Sequence, residues 1–125
     1  MKKILITSGE ISMQAELTDT PTAQAVWDKL PFEGKANTWG DEIYFIVPVS
    51  MDQEPDASAQ VEVGDLGYWP TGFAFCIFFG PTPASTDEQP RAYSPVNVIG
   101  RVLGDATQFK AVKNGEPVEV VRVED

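Results

Sequence analysis

GDLGYWPTGFAFCIFFGPTP, residues 64–83, carries six aromatic side chains in a near-continuous apolar run bounded by glycine and proline. In its central part, FAFCIFF, an extended chain places Phe73, Phe75, Ile77 and Phe79 on one face and Ala74, Cys76 and Phe78 on the other. Both faces are apolar, so the run reads as a strand whose one side fills a core while the other faces a helix or a groove. Tyr68 and Trp69, just upstream, have amphipathic rings that suit a pocket mouth, where the apolar body meets a ligand and the OH or NH reaches a polar group. Core packing is the competing reading of both.

The rest of the chain reads outward from this strand as short β-prone runs separated by turns. Residues 3–7 and 11–17 form an expected hairpin across Ser8, Gly9 and Glu10, and Ile11, Met13, Ala15 and Leu17 share one face of its second arm. Asp19, Thr20 and Pro21 then read as a helix start, because a capping side chain precedes a proline whose fixed φ suits the first turn. Ala23, Val26, Trp27 and Leu30 follow at helical spacing, with Trp27 as a core anchor, and Pro31 ends the helix. Strands are expected at residues 34–39, 41–49 and 60–63, with a polar, mobile loop over residues 51–59. Downstream of the central strand, residues 80–95 carry four prolines and read as a long loop of the kind that often serves function. Residues 96–103 form a strand with a bulge or bend at Gly100, residues 105–111 a short helix opened by an acid, and residues 118–123 a closing strand after Asn114-Gly115.

These elements fit a mainly β fold in one domain, residues 1–125, for 42% of the 125 residues are apolar and glycine and proline contribute ten each as punctuation. The charge of −10 arises from 19 acids scattered against 9 bases, and the only basic pair is Lys2 and Lys3. A phosphate backbone is bound through clustered Lys and Arg, so no nucleic-acid partner is expected. The apolar run after Lys3 is broken at Ser8-Gly9-Glu10, and none approaches the roughly 20 residues that span a bilayer. No membrane partner and a cytoplasmic location are expected. The chain has no histidine and one cysteine, which excludes imidazole-based serine or cysteine hydrolysis and the usual zinc sites. No metal and no cofactor are expected. Any acid–base work falls to a carboxylate, a lysine or a tyrosine. Cys76, inside an apolar run, reads as a buried thiol.

The order of elements resembles the cyclophilin fold. More narrowly, Gly64, Asp65, Tyr68, Trp69, Pro70, Gly72, Ala74, Cys76, Ile77, Phe78, Phe79, Gly80, Thr82 and Pro83 resemble the hallmark segment of a small prokaryotic family of minimal cyclophilin-like barrels. WGDEIYF, residues 39–45, and Gly100, Arg101 and Val102 extend the likeness over most of the chain. The resemblance implies a closed cyclophilin-like β-barrel with one or two short helices. It also implies a test of prolyl isomerase activity, which in true cyclophilins uses an arginine on a barrel strand and a pocket histidine. Val96 stands about where the resemblance would place that histidine, and residues 41–49 contain no arginine. Without a cation to polarise the prolyl amide the transition state gains little stabilisation.

The candidate ligand-binding residues are Trp39, Tyr44, Tyr68, Trp69 and Phe79, with Thr82 and Arg91 of the long loop able to meet an anion or carboxylate at the rim. Glu42, between Trp39 and Tyr44, is the candidate catalytic residue: buried among aromatic rings it would titrate high and act as acid or base, whereas facing outward at a strand start it would be ordinary. The reading favoured is a module that binds a small molecule or a peptide. The alternative is a weak prolyl isomerase or a carboxylate-dependent enzyme acting on a small amide, a class suggested by cyclophilin-like barrels within amide-hydrolysing bacterial proteins. Monomer and homodimer are both open.

Overall fold

The structure, a computed structural model, describes residues 2–123. Ten strands, one α-helix and one 3₁₀ helix follow in the order β1 (Lys3–Ser8), β2 (Ile11–Leu17), α1 (Pro21–Lys29), β3 (Phe32–Lys35), β4 (Asn37–Thr38), β5 (Glu42–Ile46), β6 (Ser58–Gln60), β7 (Asp65–Trp69), β8 (Ala74–Phe78), β9 (Arg91–Val102), the 3₁₀ helix (Ala106–Ala111) and β10 (Pro117–Arg122). All ladders are antiparallel. They run β3-β10-β1-β2-β9-β7-β8-β5-β4, with β6 attached to β9 beside this path.

The expected closed barrel is not what the hydrogen bonds make, because no ladder joins the end strands β3 and β4. The reason is covalent. β3 and β4 are successive parts of one extended segment, separated by Ala36, so they cannot pair with each other; β3 pairs with β10 and β4 with β5. The seam is bridged by packing, and a Cβ placed on Gly34 of β3 would stand 3.0 Å from the Phe45 ring of β5.

Strand alternation sorts the apolar residues into two clusters. Ile6, Phe45, Leu66, Tyr68, Phe75, Ile77, Phe79 and Val120 belong to the main core, together with Val26 from α1 and Phe109 from the 3₁₀ helix. Val61, Ala74, Cys76, Phe78, Ala92 and Val96 form a smaller cluster on the opposite face of β8. Each fully buried aromatic or aliphatic side chain stabilises the fold by about 1.5–3 kcal/mol, so β8, buried at every position, is the strand least tolerant of polar substitution.

The helix starts as expected. The Thr20 side chain accepts from the Ala23 N–H at 3.2 Å and Pro21 opens the first turn. Trp27 is only partly buried against the core, and Arg122 stacks on its ring at 4.7 Å from the centroid. Downstream, the strand expected at residues 60–63 is found as β6 at Ser58–Gln60, and β9 starts earlier than expected. β9 begins at Arg91 and runs through Pro95, whereas residues 80–95 read as loop. A proline is admitted because the β6–β9 register slips between the Ser58–Val96 and Gln60–Arg91 pairs. The bend expected at Gly100 is present: between Leu66–Gly100 and Gly67–Val98 one step on β7 faces two on β9. A side chain at Gly100 would meet the Glu16 carbonyl of β2, which explains the missing Cβ.

The loop over residues 51–59, expected to be mobile, is fastened. Glu54 accepts from the Thr22 N–H at 3.1 Å and its hydroxyl at 2.5 Å, and the Glu54 N–H donates to the Asn97 side chain at 2.8 Å. Asn97, buried in β9, donates to Thr22 Oγ1 and to the Asp52 carbonyl, both at 3.0 Å. Each buried polar group in this network has a partner, which is the condition for burying it without a penalty. No helix among the described residues is long and apolar enough to cross a membrane.

Candidate functional site

The smaller cluster does not fill its side of the sheet. Beside it lies a cavity of about 150 Å³ lined by Trp39, Glu42, Tyr44, Trp69, Cys76, Ala92, Tyr93 and Val96. Strand geometry brings these together. Glu42 and Tyr44, two apart on β5, share a face, and their partners across the ladder on β8 are Phe78 and Cys76. Trp69 pairs with Ala74 at the other end of β8, so its indole enters from the same face. Trp39 closes the site from the β4–β5 turn, where it exchanges backbone hydrogen bonds with Glu42 at 2.9 and 3.2 Å. Ala92, Tyr93 and Val96 come from the N-terminal half of β9.

The four rings form walls. Trp39 and Tyr93 lie 6.1 Å apart between centroids at 72°, Trp69 and Tyr93 6.0 Å apart at 75°, and Tyr44 and Trp69 6.5 Å apart at 78°. These edge-to-face contacts satisfy the ring quadrupoles and fix the rings relative to one another. The Trp69 Nε1–H donates to Ser94 Oγ at 2.6 Å, which anchors the indole. Gly72 allows that placement: a Cβ there would stand 2.5 Å from the six-membered ring of Trp69.

Glu42 is 6% exposed, which settles its orientation as inward. Burial pushes its carboxyl up to about 7, and hydrogen bonding with the Cys76 thiol offsets part of that rise. Burial also pushes the Cys76 thiol well up, and the Glu42 charge pushes it further. The thiol is therefore neutral and unreactive as a nucleophile around neutral pH. Among the described residues no lysine or arginine lines the cavity. The nearest basic contact on this segment, Lys110 with Asp41 at 3.8 Å, concerns the neighbouring carboxylate, which is not part of the lining.

Of the residues expected to bind ligand, the structure gathers Trp39, Tyr44 and Trp69 around Glu42. It places four elsewhere. Tyr68 is fully buried in the main core, with its hydroxyl donating to the Val49 carbonyl at 2.5 Å, because adjacent residues of a strand face opposite sides and Trp69 takes the cavity side. Phe79 packs on Phe109 in the same core, with ring centroids 6.1 Å apart. Thr82 is buried and its hydroxyl donates to the Arg91 carbonyl, tying the long loop to β9, while the Arg91 side chain is exposed outside the lining. Sequence reasoning missed Tyr93. The alternating Ala92, Tyr93, Ser94 was hidden between Pro90 and Pro95, which read as loop punctuation.

The comparisons with known proteins agree with this architecture. The solution structure of the hypothetical protein AF2241 from Archaeoglobus fulgidus superposes with a TM-score of 0.83 at 41% identity, covering 98% of this chain and 95% of that one. The structure of McbB in complex with tryptophan superposes with a TM-score of 0.72 at 18% identity; it covers 98% of this chain but only 46% of McbB, a likeness of fold. No match is found among curated proteins. The model of the cyclophilin-like family matches residues 2–121, and the chain belongs to that family.

Proposed function

We propose that this chain is a binding module whose cavity between β5, β7, β8 and β9 takes a small molecule or a short segment of peptide. The observation that carries this reading is a set of four aromatic walls around a single buried carboxyl, with the surrounding sheet already satisfied by its own ladders. A mostly apolar concavity with few polar groups is the usual form of a small-molecule site. McbB, a neighbour in fold, is seen with tryptophan, which makes aromatic amines a sensible part of a ligand panel.

Prolyl isomerisation is disfavoured. Val96 lines the cavity at about the position that the family resemblance gives to a histidine, and no arginine lines it to polarise an amide. The carboxylate-dependent enzyme keeps one specific support, a buried Glu42 titrating near neutrality, which is where a general acid or base works best.

The test is a titration of the protein with small amines, tryptophan and proline-bearing peptides, followed by indole fluorescence and by NMR of the aromatic side chains. Shifts gathered on Trp39, Tyr44, Trp69 and Tyr93, weakened at least tenfold by Trp69→Ala, are expected. Ligands that bind without moving these signals would transfer the function to another surface. Turnover of a small amide that disappears in Glu42→Gln while the fold persists would replace the binding reading with the enzymatic one.

A further inference from the structure

Resting on the binding reading, we propose that the cavity recognises a small organic cation, a methylated or quaternary ammonium group, held by the faces of Trp39, Tyr44, Trp69 and Tyr93 against the Glu42 carboxylate. Three observations converge on this class of ligand. The first is the pairing of ring and charge. Electron-rich aromatic faces attract a cation without stripping it of partners, and cages of such rings are the recurrent solution for ammonium groups too methylated to donate several hydrogen bonds. Successive rings at 72–78° to one another form adjoining walls, and the Trp69 N–H is already committed to Ser94, so the indole has no hydrogen bond left to offer and meets a ligand through its ring alone.

The second observation is an absent countercharge. Among the described residues lining the cavity Glu42 is the one carboxylate and none is basic. A carboxylate desolvated in this way is unfavourable until a positive group arrives. The ligand supplies what the protein omits. A ligand carboxylate or phosphate, by contrast, would meet Glu42 with no cation to balance it.

The third is size and field. A cavity of about 150 Å³ suits a compact head group, and a chain of net charge −10 draws cations toward any acidic opening. The titratable residues that line the cavity facing Glu42's side are Cys76 of β8, whose thiol interacts with Glu42, Tyr93 of β9 and Tyr44 on its own strand. Asp41, next in the chain, is held by Lys110. None of the three lining groups supplies a positive charge, so protonation of Glu42 itself governs whether the site is anionic.

The experiment compares choline with 3,3-dimethylbutan-1-ol, which has the same shape and no charge, by calorimetry or NMR titration of the intact chain. Choline should bind at least about tenfold more tightly than the neutral isostere. Glu42→Gln should reduce that preference to within about twofold, and Tyr93→Ala, at a ring 76% exposed and so dispensable for folding, should weaken choline about fivefold. Choline keeps its charge at every pH, so its affinity should weaken as the pH falls below about 7 in the parent and stay level in Glu42→Gln. A peptide bearing trimethyl-lysine separates the sources: tighter binding of the peptide assigns the ammonium group to a modified protein, tighter binding of choline to a free metabolite, and either supports the chemistry. Equal binding of choline and its isostere, or a preference that survives Glu42→Gln, overturns the cation inference. Binding of tryptophan or a proline peptide at the four rings, with no response to choline, also overturns it and leaves the binding module standing. Silence of the rings toward every probe removes both.

Discussion

Burial of Glu42 sets its carboxyl against its own charge, and the consequence for folding follows from the direction of the shift. The folded-state value is raised from 4.5 to about 7 by desolvation, so below about pH 4.5 the group is protonated in folded and unfolded chains alike and costs nothing. Between those values the unfolded chain releases its proton first, and stability declines as the pH rises. Above about 7 the penalty is complete, at about 3 kcal/mol. Glu42→Gln removes it, so urea unfolding at pH 8 should show the variant more stable by about 1–3 kcal/mol, with the gain vanishing near pH 4.5. A variant no more stable at pH 8 would mean that the carboxyl is better solvated than its burial indicates. Glu42 was legible in the sequence as a carboxyl between two aromatic residues, but its direction was not, since a strand start offers both faces. Tyr68 and Trp69 show the reverse: both were visible as candidates, yet alternation alone dictates that only one can enter the cavity.

At the scale of elements, the segment after β5 is held by one network. Glu54 clamps the start of α1 through Thr22, and Asn97 of β9 ties the same segment from the other side. Glu54→Ala strips Thr22 and leaves its hydroxyl and N–H with fewer partners, which costs about 2–3 kcal/mol because the acceptor lost is charged. Amide exchange should speed up across residues 51–57 and the first turn of α1, while β7 and β8 keep their protection. Unchanged exchange in that segment would show that the Asn97 contacts suffice. The strand before it was read from its β-prone residues and the helix from its cap and proline, whereas the strand after it, expected at residues 60–63, is β6 at Ser58–Gln60. The start of β9 was not legible, because a proline in a sequence argues against a strand unless a register slip accommodates it, and a slip depends on the partner strand.

For the whole molecule, the charge of −10 and the mostly apolar cavity lined by Glu42 act together. Association of choline should slow as sodium chloride is raised from about 10 to 150 mM, since the screening length shrinks from about 30 to 8 Å, whereas the neutral isostere should show no such dependence in a stopped-flow measurement. Equal salt sensitivity of the two would assign the effect to the protein's conformation rather than to its field. The amino-acid sequence alone was enough for the mainly β class, the two short helices, the likeness to the cyclophilin-like family and the split of the central strand into two apolar faces, except at Phe73, which stands before β8 with φ 52° and is 49% exposed, because these rest on local periodicity, turn chemistry and a contiguous motif. The missing ladder between β3 and β4, the inward carboxyl of Glu42 and the arrival of Tyr93 beside Trp39 and Trp69 came only with the folded chain. Each depends on which strands become neighbours, and that is settled by packing between residues far apart in sequence.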